Sequence, residues 1–353
     1  MDVSIIGASG DCGREIVRQL LDSRVLSPSE RLQLVGRASG QSAQTLYGLC
    51  SDLTDAYAEI APELDVALHP EEIVGDVIVM SAGVTLKQGG KATSRDDLAQ
   101  INLPLFHSYA KAIKQYGHGH EIILIVTNPV ELAVEVFSHY LGRRRVIGIG
   151  AYSDSLRFRR EIANDIGVRR QLVQGFVVGE HGEAMVPLWS SVRIFGMERE
   201  ELRSILKRLR GERKISQFPD EVSREKQVVI NYLQQQKICE AFNYVDHLPP
   251  DLRVVIKPHV THLSGAKTIA ATANVTVDLV RSLVEGQEIV VSGQVQVDGE
   301  FYDIHTCIGV PIIVTSMGWT RIVPLQLWED EALLLQQMSD HIKLKLEKWS
   351  QHG

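Results

Sequence analysis

Short aliphatic runs alternate with longer amphipathic stretches through the first half of the chain. Val3–Ile6, Leu32–Val35, Val77–Met80, Ile122–Val126 and Val146–Ile149 have the pattern of strands buried on both faces. Segments near 13–22, 94–116 and 130–141 between them read as helices. This alternation predicts an α/β fold, a doubly wound parallel sheet with helices on both faces. The second half changes character. A helix continues over Arg157–Ile166, strands follow near 172–178 and 187–195, and a long polar helical region spans about 198–245. Pro249–Pro250 is expected to break it, and another helix covers about 266–285. Ile289–Val297, the turn at Asp298–Gly299 and the runs up to Val323 predict antiparallel strands. A last helix, about 329–348, places Leu335, Met338, Ile342 and Leu346 on one face.

Bulk properties narrow the field. At 353 residues the chain suits about two domains of roughly 150 residues each. Its 44% hydrophobic and 23% charged content is that of an ordinary globular protein. A net charge of −7 points away from a nucleic-acid partner. No apolar run reaches the ~18 residues of a membrane span, so no membrane partner is expected. The opening MetAspValSerIleIleGly runs straight into a strand without a basic leader, which predicts a cytoplasmic protein. Cys12, Cys50, Cys239 and Cys307 are scattered, which suits a reducing compartment, and no metal site is expected.

The first strand ends in a glycine-rich turn, Gly7AlaSerGly10AspCysGly13, ahead of a helix. Alone, such a turn can be no more than a tight strand-to-helix connection. At the first strand of a βαβ pattern it predicts dinucleotide binding. The glycines let the backbone approach a pyrophosphate, and the helix N-terminus offers N–H groups to it. Gly7, Ala8, Ser9, Gly10, Asp11, Cys12 and Gly13 are therefore candidate cofactor residues, on a Rossmann-type sheet. The expected division is a dinucleotide-binding domain over 1–150 and an α+β catalytic domain with antiparallel strands and a C-terminal helix over 151–353. The second strand ends in LeuValGlyArgAlaSer, with no acid to bond a ribose 2′-hydroxyl. Arg37, with Ser39, fits a 2′-phosphate instead, so NADP is favoured over NAD.

Three further stretches carry chemistry. Thr127AsnProVal follows the strand at 122–126, at the carboxyl edge where ligands bind in open α/β sheets. Asp154SerLeuArg157 puts an acid and a guanidinium three residues apart on one helix face. GlyGluHis181GlyGlu sets a histidine between glycines after an apolar run. Each has a mundane reading, as a turn asparagine, a surface ion pair and an exposed loop histidine. In this order they resemble the lactate/malate dehydrogenases, and the resemblance runs nearly end to end. It includes MetValProLeu after His181 and ValAspGlyGluPhe with CysIleGlyValPro near the C-terminal end. ValGlyArgAlaSer looks most like archaeal-type malate dehydrogenases that accept NADP.

The resemblance implies roles. His181 corresponds to the proton donor that works while a hydride moves between nicotinamide and substrate, a task suited to imidazole near neutral pH. Asp154 corresponds to its partner. Arg157 corresponds to the clamp on the substrate α-carboxylate, and Asn128 to the side chain that bonds substrate and orients nicotinamide. Arg95 corresponds to the loop arginine that polarises the carbonyl. Thr268 aligns with a small hydroxyl residue on the substrate side, with Ser264 as its competitor. Ala82, Gly83, Asn102, Thr127 and Asn128 complete the cofactor-binding set. A homodimer or homotetramer is also implied.

Two segments depart from the pattern. Malate dehydrogenases of this family carry an earlier loop arginine for the distal carboxylate, where this chain has Leu86LysGlnGly and a longer run to Arg95. Lys87 or Lys91 offers only a point charge in its place. Malate/oxaloacetate is the first substrate expected. A lactate-type or larger apolar 2-hydroxy acid is the alternative, and a non-catalytic cofactor-binding paralogue the alternative of another class. The stretch 211–262 is longer than in the family, and its HisValThrHis lacks the neighbours of a metal site.

Overall fold

The computed structural model describes residues 1–85 and 94–350. Six parallel strands open the chain: β1 (Val3–Ile6), β2 (Arg31–Val35), β3 (Glu63–Ala67), β4 (Val77–Met80), β5 (Ile122–Ile125) and β6 (Val146–Gly148). They pair in the order β3-β2-β1-β4-β5-β6. β1, β4, β5 and β6 are buried at every position, as their aliphatic runs require. Helices α1 (Asp11–Asp22), α2 (Ser42–Ala56), α3 (Arg95–Tyr116) and α4 (Val130–Leu141) connect them. The strand order reverses between β1 and β4, and ligands of such sheets bind at that point, outside the carboxyl ends.

The sequence pattern did not predict β3 or α2. β3 is an edge strand, GluLeuAspValAla, of which only Ala67 is fully buried, so it lacks an apolar run. α2 buries only Leu46 and Leu53, too few to mark a helical period.

The second half contains α5 (Gly150–Ile166), β7 (Val173–Gly179), β8 (Met185–Ile194), α6 (Arg199–Arg210), α7 (Phe218–Gln234), α8 (Ile238–Asp246), α9 (Pro250–Leu263), α10 (Ile269–Val284), β9 (Ile289–Gln296), β10 (Cys307–Thr315), β11 (Gly318–Ile322) and α11 (Glu329–Ser350). The five strands pair antiparallel among themselves, and β9 also pairs antiparallel with β6, Gly148 opposite Gln294. All the described strands thus form one 11-stranded sheet.

The single helical region expected over 198–245 is three α-helices. The expected break at Pro249–Pro250 is present: α8 ends at Asp246, Pro249 caps the next helix, and Pro250 occupies the first turn of α9, where its missing N–H costs nothing. Ion pairs anchor this polar region. Arg213 binds Glu221 and Asp251, Asp251 accepts from the Trp189 indole N–H at 3.1 Å, and buried Arg253 meets Glu161 and Asp165. No helix among the described residues is long and apolar enough to cross a membrane.

Candidate active site

The glycine turn lies at the strand-order reversal. Gly7 has φ +89°, and a Cβ there would sit 2.7 Å from the backbone N and Cα of Ala82, just beyond β4. A Cβ on Gly13 would sit 2.8 Å from Ala8 Cα and overlap the Gly7 carbonyl. Only glycine lets α1 start this close to β1. The cradle fits a dinucleotide pyrophosphate, because it leaves backbone and a helix N-terminus where side chains would otherwise stand. Asp11, in the first turn of α1, pairs with Lys267 at 2.5 Å and with Arg14 at 3.3 Å. The Lys267 bond holds the Asp11 carboxyl below its usual range. Burial pushes the Cys12 thiol up to about 11, helped by Asp11 and Glu15, so it is a neutral thiol.

Arg37 and Ser39 are exposed just past β2, with Gly36 buried before them. A Cβ on Gly36 would lie 2.6 Å from Ser42 Oγ, so the start of α2 packs tightly against the end of β2. Ser42 Oγ accepts from the Arg37 backbone N–H at 3.2 Å and lies 3.0 Å from Ser9 Oγ. The sequence reading missed Ser42 because it missed α2.

The ends of β4 and β5 are knitted by two predicted cofactor residues. Buried Asn102 accepts from Val84 N–H at 2.8 Å and donates to Val84 O at 3.1 Å and Asn128 O at 2.9 Å. Thr127 Oγ1 donates to Ala82 O at 2.8 Å. Both side chains therefore shape backbone around Ala82 and Gly83. Asn128 is exposed beyond β5, and its peptide bond to Pro129 is cis.

Beyond this edge His181, in the turn between β7 and β8, meets Asp154 on α5. His181 Nδ1 is 2.7 Å from Asp154 Oδ2, and Arg157 donates to Asp154 Oδ1 at 2.8 Å. Burial alone pushes the Asp154 carboxyl up, but His181 and Arg157 outweigh it and hold it below its ordinary value. An ionised carboxylate only accepts, so Nδ1 carries a proton and Nε2 is left to take one up or release one. Gly150 opens α5 beneath the ring, where a Cβ would lie 2.5 Å from His181 Cγ.

The His181 main chain is held on both sides. Its N–H donates to Glu131 Oε1 at 2.6 Å, and its carbonyl accepts from Arg95 Nη2 at 2.6 Å. Arg95 Nη1 also donates to Glu180 Oε1 at 2.6 Å. Ser94 caps α3 through the Asp97 N–H at 3.1 Å, which makes Arg95 the first helical residue. Glu131, Glu180 and the glycine at 150 are site residues the sequence reading did not single out. The available signal was two acids beside AsnPro and His181 in otherwise apolar runs.

Burial, followed by the Glu180 charge, pushes Glu131 up to about 7. Its ordinary value is 4.5, so the folded protein holds this proton more tightly than the unfolded chain. The resulting cost to stability grows as pH rises from the unfolded toward the folded value. Glu131→Gln keeps the acceptor and removes the charge. It is expected to gain on the order of 2 kcal/mol against wild type between pH 4.5 and pH 8. Urea unfolding at both pH values measures this, and equal differences at the two would refute it.

Of the predicted site residues, His181, Asp154, Arg157 and Arg95 form one hydrogen-bonded group. Thr268 is exposed at the cap of α10, beside the Lys267 that reaches Asp11, and Ser264 is exposed and bonds Thr261 O at 2.7 Å. Leu86, Lys87 and Lys91 lie outside the described residues. In HisValThrHis, burial and then Lys226 push His259 down to about 4.

The sheet order, the glycine cradle at its reversal and the His181–Asp154 pair place a candidate dinucleotide site in the same sheet as a candidate acid–base pair. The profile for the lactate/malate dehydrogenase NAD binding domain matches residues 1–148, and that for the lactate/malate dehydrogenase alpha/beta C-terminal domain matches 153–237. The chain belongs to the lactate/malate dehydrogenase family. It is 28% identical to an L-2-hydroxycarboxylate dehydrogenase (NAD(P)(+)) of Methanocaldococcus jannaschii, over 97% of both chains. It is 26% identical to a malate dehydrogenase of Methanothermobacter thermautotrophicus, over 97% of this chain and 95% of that one. The malate dehydrogenase structure from Cryptosporidium parvum superposes with a TM-score of 0.75 at 22% identity, covering 99% of both chains. That from Aeropyrum pernix gives 0.73 at 22% identity, over 98% and 97%. These two show a shared fold.

Proposed function

We propose that the enzyme interconverts malate and oxaloacetate, with NADP preferred over NAD. The observation that carries the chemistry is the 2.7 Å contact between His181 Nδ1 and buried Asp154. In the reducing direction His181 gives a proton from Nε2 to the carbonyl oxygen of the 2-oxo acid, and Asp154 stabilises the ring before and after. Arg157 grips the α-carboxylate, Asn128 bonds the substrate, and Arg95 polarises the carbonyl. The nicotinamide, when bound, supplies the hydride for the carbonyl carbon. Residues 1–150 hold the dinucleotide and 151–353 complete the substrate side. Thr268 is kept as the substrate-side hydroxyl, and a homodimer or homotetramer follows from the family likeness.

The cofactor preference rests on exposed Arg37 and Ser39, ahead of the N-terminus of α2, in a segment without a carboxylate between Gly36 and Gln41. A cation and a helix N-terminus both favour a 2′-phosphate. Leu86 favours a second reading, in which the substrate carries an apolar group instead of a distal carboxylate. The paired His181 and Asp154 speak against a non-catalytic paralogue.

A panel of oxaloacetate, pyruvate, branched-chain and aromatic 2-oxo acids with NADPH and NADH tests the proposal. Oxaloacetate with NADPH is expected to give the highest kcat/KM. Arg37→Ala is expected to raise the KM for NADPH about 10-fold and leave that for NADH within twofold, as lost charge-assisted bonds to a phosphate require. Preference for an apolar acid would select the second reading, and equal use of NADH by the wild type would remove the cofactor preference.

A further inference from the structure

Glu180 is almost fully buried, yet the proton-donor chemistry does not use it. Its side chain is only 2% exposed and lies between two cations from distant elements. Arg95, the first residue of α3, donates to its Oε1 at 2.6 Å. Lys345 of α11 reaches both of its oxygens, at 3.2 and 3.1 Å. A carboxyl in such a place is costly unless it is well paired, so its partners define what it does. The Arg95 guanidinium that grips Glu180 also grips the His181 carbonyl. Gly182 leaves the room for this, because a Cβ there would overlap Arg95 Nη2. These two bonds engage two of the five N–H groups of the guanidinium and fix its plane. The remaining donors are thereby oriented beside His181 and not spread over the rotamers of an unheld arginine.

The same helix holds the start of α3 at a second point. Asp96 accepts from Lys348 at 2.5 Å and from the Trp349 indole N–H at 2.7 Å. That contact does not touch the guanidinium, whereas the Lys345–Glu180–Arg95 chain ends on it.

We propose that Glu180 is a positioning residue for catalysis, setting the Arg95 guanidinium beside His181, and that Lys345 of the C-terminal helix holds Glu180 in place. The inference rests on the reading of Arg95 as the group that polarises the substrate carbonyl. A group acting only through Arg95 affects the reaction and not the dinucleotide.

The test is steady-state kinetics with the 2-oxo acid that the panel selects, together with fluorescence titration of dinucleotide binding. Glu180→Gln keeps the shape and an acceptor but loses the charge. It is expected to lower kcat 10- to 100-fold while the dinucleotide Kd stays within twofold. Lys345→Met, at a partly exposed position, is expected to lower kcat about 10-fold, and Lys345→Arg to restore it. In an Arg95→Lys background, which itself loses turnover, Glu180→Gln is expected to add no further loss. Loss in R95K with full turnover in both E180Q and K345M would overturn the positioning role alone. So would an equal further loss on adding E180Q to R95K. Undiminished turnover in R95K would overturn the role given to Arg95, and the inference with it.

Discussion

His181→Gln is expected to lower kcat about 10³- to 10⁴-fold, at the upper end of what a positioned general acid contributes. Glutamine retains an N–H near the ring position but has no proton to give at neutral pH. The loss belongs in kcat because the cofactor cradle, at Gly7 to Gly13, is built from other residues. Asp154 stays buried in the variant with Arg157 as its remaining partner, so a modest loss of stability accompanies the loss of turnover. Pre-steady-state reduction of the 2-oxo acid, with dinucleotide binding measured by fluorescence, separates these effects. A fall of less than 10-fold in the hydride-transfer rate would reject His181 as the proton donor.

Arg157→Lys keeps the charge and is nonetheless expected to lower kcat/KM about 10- to 100-fold, mostly through KM for the 2-oxo acid. A lysine is a point charge, whereas a guanidinium meets both oxygens of a carboxylate at once. One charge-assisted hydrogen bond is worth about 1.5–3 kcal/mol, which sets the size of the loss. Arg157 is 15% exposed and already donates to Asp154 Oδ1 at 2.8 Å, so its fork is braced before substrate arrives. The alternative role, holding Asp154 for His181, predicts a different split, with kcat falling and KM unchanged. Initial-rate kinetics over a range of 2-oxo acid concentrations distinguish the two.

What could be read from the sequence follows from burial and from distance along the chain. β1, β4, β5 and β6 lie in the sheet interior, and two covered faces leave an aliphatic run that cannot be mistaken for loop. β3 has a bare edge and α2 a narrow buried stripe, so neither writes a period into its residues. Asp154 and Arg157 are one helical turn apart, and their pairing was visible as spacing. Their link to His181 came from the order of motifs. Nothing local announces that Lys345 reaches Glu180 from 165 residues away, or that Glu131 takes the His181 N–H from 50 residues before it. The resemblance places Asn102 and Thr127 at the cofactor, but much of their polarity is spent shaping the backbone at 82–84 and at Asn128. Arg95, which the resemblance assigns to the substrate carbonyl, is also held within the protein by Glu180, a partner that nothing in its own segment announces.

The pairing of β6 with β9 has a mechanical consequence. Gly148 faces Gln294 in one ladder, and the Gln294 side chain also accepts from the Ala151 N–H at 3.0 Å, across the start of α5. The cofactor side and the substrate side are therefore welded where a jointed two-domain enzyme would place its hinge. Wholesale swinging of one half over the other would tear this seam, so the glycine cradle and His181 are held in register by the sheet itself.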